Sequence, residues 1–122
     1  MTRERVTDRM RRVNEALRQV LADAIEQLAD PGLGFVTVTA VRASGDVSQA
    51  IVYVSVLGGQ KKRTAGMRAL ERAKGALQRR VASDLHLKRT PLLTFRYDET
   101  LDRALRLNEL IEQAAPTAHE DA

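Results

Sequence analysis

The chain has 122 residues, no cysteine, no tryptophan, 43% apolar residues and a formal charge of +4. That length suits one domain with a core of its own, and the missing cysteine excludes disulfides, thiolate metal sites and a cysteine nucleophile. The basic start is followed by no apolar signal segment, and the longest apolar run, 50–57, is too short to span a bilayer, so a cytoplasmic location is expected.

In chain order, Val6, Met10, Val13, Leu17, Val20, Ala24 and Leu28 recur at steps of three and four, and Leu21 and Ile25 widen the stripe. This is the pattern of an amphipathic helix, and Asp30-Pro31-Gly32 ends it. Phe35 to Arg42 is rich in β-branched residues and reads as a strand with Val36, Val38 and Ala40 on one face. After a turn at Ser44-Gly45-Asp46, Gln49 to Leu57 reads as a second strand. It has Ala50, Val52, Val54 and Val56 on one face and Ile51 and Tyr53 on the other. The short turn predicts an antiparallel hairpin.

Gly58-Gly59 closes the hairpin, and Thr64 to about Leu85 carries Leu70, Ala73, Leu77 and Val81 on a helical stripe. A straight helix of that length reaches ~33 Å, against ~23 Å for a seven-residue strand. Gly75 costs roughly 1 kcal/mol against Ala in a helix interior, and glycine is a place where kinks occur. The segment is therefore expected to divide into two helices at Ala73-Lys74-Gly75. Leu92 to Tyr97 alternates as a third strand. About Glu99 to Gln113 reads as a last helix, with Asp98 or Glu99 favouring its start through the helix dipole. The order is α-β-β-α-α-β-α, an α+β domain over 1–114 with a disordered tail at 115–122. The helical crossover between the second and third strands permits a parallel pair.

Charge is concentrated between Lys61 and Arg89. Lys61, Lys62, Arg63, Arg68, Arg72, Lys74, Arg79, Arg80, Lys88 and Arg89 face only Glu71 and Asp84, a local charge of +8. Such polarity marks a polyanion site, usually for nucleic acid. On a helical wheel Arg68, Arg72 and Arg79 lie opposite the Leu70, Leu77 and Val81 stripe, with Gly75 in the same row. Bare backbone between arginines suits the approach of a phosphate. Arg9, Arg11 and Arg12 form an accessory basic cluster. Tyr53, Phe95 and Tyr97 are too few for an aromatic stacking sheet and read as packing residues. Binding is then expected to use phosphates, shape and 2′-hydroxyls. With six phosphate contacts it would weaken on the order of a thousandfold between 50 and 200 mM salt.

No catalytic set emerges. His86 and His119 are the only histidines, and His86 adjoins Lys88 and Arg89. Asp98, Glu99 and Asp102 are the nearest approach to a metal cluster. Phosphate-loop, nucleophile-elbow and dinucleotide signatures are absent. The expectation is a non-enzymatic RNA binder with no metal or cofactor.

The opening helix ending in Asp30-Pro31-Gly32-Leu33-Gly34, the stretch Ala50-Ile51-Val52-Tyr53-Val54-Ser55, Ala73-Lys74-Gly75, and Pro91-Leu92-Leu93-Thr94-Phe95-Arg96-Tyr97-Asp98 follow one another in a specific order and spacing. Through them the chain, from about Arg9 to Gln113, resembles the ribosome-binding factor A family of bacteria. The resemblance implies a type II KH-like fold, α-β-β-α-kink-α-β with a C-terminal helix and a three-stranded mixed sheet with helices on one face. It implies a helix kink at Ala73, Lys74 and Gly75 in place of the usual G-x-x-G loop. It also implies a monomeric assembly factor that binds the immature 30S subunit through 16S rRNA, assists late 16S rRNA maturation including 5′-end processing, and supports growth in the cold. The RNA-binding set is then Lys61, Lys62, Arg68, Arg72, Lys74, Gly75, Arg79, Arg80, Lys88 and Arg89. The alternative is a KH-like module for single-stranded RNA or DNA unrelated to ribosome assembly.

Overall fold

The chain folds in the order α1 (Thr2–Glu26), β1 (Val36–Ala43), β2 (Gln49–Val56), α2 (Gln60–Asp84) and β3 (Leu92–Tyr97). The computed structural model describes residues 2–100, 103, 104, 107, 108, 110 and 111, with side chains from Asp8 onward. The last helix expected over about 99–113 falls partly outside the described residues. Those described within it, from Thr100 to Ile111, are helical. The tail expected at 115–122 lies outside them altogether. Among the described residues no helix is long and apolar enough to cross a membrane.

The sheet order is β1-β2-β3, with β2 in the centre. β1 and β2 pair antiparallel through the short turn, whereas β2 and β3 pair parallel across the α2 crossover. Both helices cover one face of this mixed sheet. β2 alternates cleanly, burying Ala50, Val52, Val54 and Val56, and β3 buries Leu93 and Phe95. Against them pack Leu17, Leu21 and Ile25 of α1 and Leu70, Leu77 and Val81 of α2. Two side-chain bonds tie helix to strand. Asn14 Oδ1 accepts from Ala43 N at 2.8 Å, and Gln78 Oε1 accepts from Leu93 N at 3.3 Å.

β1 departs from strict alternation. Val38 is buried, but Ala40 is exposed and Val41 takes the inward place. The pairing register shifts between Val38 and Ala40, the mark of a β-bulge. One extra residue moves every later side chain to the opposite face. Thr39 occupies the bulge, and its hydroxyl donates to Asp98 Oδ2 at 2.6 Å and to Tyr53 O at 3.2 Å. The sequence expectation of Ala40 beside Val36 and Val38 is corrected by this insertion.

α2 also differs from its expectation. It is one uninterrupted helix of 25 residues and does not divide at Ala73-Lys74-Gly75. At ~1.5 Å per residue it runs about 37 Å, longer than any strand beneath it. The excess length is left in solvent: Gln60, Lys61 and Lys62 at one end and Ala82, Ser83 and Asp84 at the other are exposed. Polar ends that project into water impose no burial penalty, so helix length demands no break. Packing of Leu70 before Gly75, and of Leu77 and Val81 after it, holds the glycine in helical form.

Candidate nucleic-acid interface

The basic segment lies on α2 and on the loop leading from it to β3. Leu70, Leu77 and Val81 face the sheet and are fully buried or nearly so. Their opposite row, Lys61, Arg68, Arg72, Gly75 and Arg79, is exposed along the length of the helix. Gly75 is open: a Cβ built there meets only Arg79 Nη1 at 3.5 Å. The bare backbone and the arginines thus share one solvent-facing surface.

Ion pairing divides the cations into two groups. Arg72 clamps the turn after α1, with Nη2 2.9 Å from Asp30 Oδ2 and Nε 3.2 Å from the same oxygen. The Gly32 amide also donates to Asp30 Oδ1 at 2.9 Å. That backbone bond and then the Arg72 guanidinium hold the Asp30 carboxyl below the usual carboxylate range. Arg80 bridges Asp84 at 3.0 Å and the Gln27 amide oxygen at 2.6 Å, joining α2 to the end of α1. Lys74 pairs with Glu71 at 3.1 Å and lies 5.9 Å from the Phe95 ring centre. It therefore leans toward the sheet. Arg63 stacks 3.6 Å over Tyr97 and meets Glu99 at 3.2 Å.

Lys61, Lys62, Arg68, Arg79, Lys88 and Arg89 are exposed and form no ion pair among the described residues. Their charge is available to a ligand. On α1, Arg9 and Arg12 are likewise exposed and form no ion pair among the described residues, while Arg11 is 3.9 Å from Asp8. These three sit ahead of Leu17, the first buried residue described on α1. His86 is exposed beside the basic loop.

Two features were not weighed in the sequence. Arg42 and Arg96 are exposed on the sheet face away from the helices; strand alternation alone assigns Arg96 there, whereas Arg42 reaches it only because the bulge at Thr39 reverses the alternation. Phe35 is 78% exposed, although the other phenylalanine, Phe95, is in the core. Asp98 behaves as expected at the start of the last helix: its Oδ1 accepts from Thr100 N at 2.9 Å. Hydrogen bonds from Thr100 and Thr39 hold its carboxyl below the ordinary range.

The model of the ribosome-binding factor A family matches residues 9–111, which includes both helices' basic faces and the whole sheet. The chain belongs to this family. A member from Halorhodospira halophila is 42% identical over 115 residues, covering 93% of this chain and 91% of the relative. The crystal structure of the Thermus thermophilus factor superposes with a TM-score of 0.66 at 34% identity, over 72% of this chain and 93% of that one. A homology model of the Thermus thermophilus factor, fitted into the cryo-EM map of a complex with 30S, gives 0.59 at 35% identity, over 70% and 90%. Within this family assignment, Ala73-Lys74-Gly75 falls mid-helix with Gly75 outward, Lys74 tied to Glu71 and Ala73 half-buried.

Proposed function

We propose that the chain is a ribosome assembly factor that binds the immature 30S subunit through 16S rRNA, with the outward face of α2 as the contact. The observation that carries this reading is the row of Lys61, Arg68 and Arg79, exposed beside the bare backbone of Gly75 and without an ion pair among the described residues. Phosphates approach such a row without breaking any ion pair among those residues. The 30S complex of a relative 35% identical supports the same partner. On this reading the domain is KH-like without a G-x-x-G loop, acts as a cytoplasmic monomer, and performs no catalysis. Its role is to assist late maturation of 16S rRNA, including processing of the 5′ end, and to sustain growth in the cold.

Phosphate contacts fix position on RNA without reading sequence. Their contribution is salt-dependent, because each neutralised phosphate releases counterions. Arg68→Glu with Arg79→Glu tests the surface, since neither residue holds an intramolecular ion pair among the described residues. Co-sedimentation with purified 30S subunits is expected to weaken about tenfold or more, and the slope of log affinity against log salt to fall by about two. Unchanged co-sedimentation sinks the proposed surface.

A further inference from the structure

The Leu57 amide donates to the Phe35 carbonyl at 3.0 Å, one step beyond the Val36–Val56 pair. Phe35 and Leu57 are therefore opposite one another at the end of the hairpin. Val56 is buried under the helices, so alternation turns Leu57, and Phe35 with it, to the helix-free face. There they are 78% and 72% exposed, the two most exposed of the large apolar side chains described. Neither contributes to the core, and a surface phenylalanine paired with a surface leucine is an apolar patch left for a ligand.

The surroundings of the patch are basic and bare. The Lys62 stem lies across Gly58, whose φ is 119°, so closely that a Cβ there would come within 2.5 Å of Lys62 Cδ. This places Lys62 against the backbone that follows Leu57. On the other side, Gly34 (φ 62°) leaves open space next to Phe35, as Gly59 does beyond Leu57. An aromatic ring, a lysine that forms no ion pair among the described residues and uncovered glycine backbone together match one unstacked nucleotide. The ring takes the base face and the lysine an adjoining phosphate. A protein partner would be served by the apolar pair alone. The positive charge of Lys62 beside it favours RNA.

We propose that Phe35, backed by Leu57 and with Lys62 at the adjoining Gly58 backbone, is a stacking platform for one unpaired base of the bound RNA. This rests on the RNA-binding reading above and adds a base contact to a surface otherwise made of phosphate contacts. The platform accepts any base, because every base has a π-face, and it selects for unpaired over helical RNA at that point.

Three variants test it. Phe35→Ala is expected to weaken binding to purified 30S subunits about five- to a hundredfold, with the salt slope unchanged. Lys62→Ala should instead lower the slope by about one. Phe35→Trp restores affinity and places the only indole in a chain that has no tryptophan. Its fluorescence should be quenched as labelled octaadenylate binds at low salt, followed in parallel by anisotropy. The proposal is overturned if Phe35→Ala binds subunits like the wild type. It is overturned too if octaadenylate fails to bind, or binds without quenching. Loss of subunit binding by Phe35→Ala with an unquenched indole would assign the patch to a protein partner instead. Failure of the wild-type chain to bind subunits at all would be a failure of the RNA-binding reading itself.

Discussion

Two glycines on α2 should respond to the same substitution with opposite signs. Gly75 is exposed and helical, and a Cβ added there meets only the end of the flexible Arg79 side chain at 3.5 Å. Gly75→Ala therefore gains helix propensity without a packing cost, about 1 kcal/mol, or about 4 °C in Tm for a domain of this size. Gly66 is buried, and its Cβ would lie 3.1 and 3.3 Å from the two Val56 methyls and 3.4 Å from the Leu33 carbonyl oxygen. Overpacking of that kind costs about 1–3 kcal/mol, which exceeds the propensity gain, so Gly66→Ala is expected to lose about 1 kcal/mol net. Urea unfolding followed by far-ultraviolet circular dichroism measures both. A stability loss in Gly75→Ala would refute the continuous helix, because only a backbone departing from α geometry penalises alanine there. A gain in Gly66→Ala would show that Val56 yields and that the α2–β2 contact is looser than the distances state.

Three further outcomes follow from the structure. Asp46 accepts from Ser48 and Ser44, and these bonds lower its carboxyl to about 2. Its stabilising contribution is complete above the unfolded value near 4 and is lost as pH falls from about 4 to about 2. The stability gap between wild type and Asp46→Asn should close across that window, and a gap independent of pH contradicts the assignment. Val47 sits at φ 57°, a left-handed conformation unfavourable to a β-branched side chain. Val47→Asn is expected to raise stability by about 0.5–1 kcal/mol, read from the urea midpoint; a lowered midpoint means that the valine's packing outweighs its strain. Leu77 is 1% exposed between α2 and the sheet. Leu77→Ala should cost about 2–5 kcal/mol in the same assay, and a loss below 1 kcal/mol would place Leu77 outside the core.

The hairpin, the crossover and the third strand were legible because each rests on local periodicity and turn chemistry. The alternation of Ala50 to Val56 and of Leu92 to Tyr97 needed no tertiary knowledge, and the crossover permitted the parallel β2–β3 pair that forms. The bulge at Thr39 was not legible, since Phe-Val-Thr-Val-Thr-Ala-Val carries no glycine or proline to mark it. What fixes it is the Thr39 bond to Asp98, 59 residues away. Continuity of α2 through Gly75 was also hidden. Propensity disfavours glycine locally, but apolar packing on both sides of it overrides that preference. Gly66 carried no signal at all, because a glycine needed for close approach to Val56 looks like any other in sequence. Phe35 read as a strand residue, and its exposure depends on where the hairpin ends relative to the helices.

The basic segment itself was read as a single electrostatic object, and the structure separates it by partner. Arg63, Arg72, Lys74 and Arg80 serve the fold: each pairs with a carboxylate, and three reach residues in loops outside α2, Glu99, Asp30 and Gln27. Arg72 is the informative case, because it belongs to the outward row and also clamps Asp30, with the Gly32 amide on the same carboxylate. Reversing its charge would set two carboxylates against each other at the turn after α1. Any resulting loss of subunit binding would then mix a displaced turn with a lost phosphate contact. Arg68 and Arg79 flank it on the same face with no such tie among the described residues, so they report on the ligand. The density of charge in the sequence identifies the surface, but only the ion pairs tell which of its cations are free to leave solvent for a phosphate.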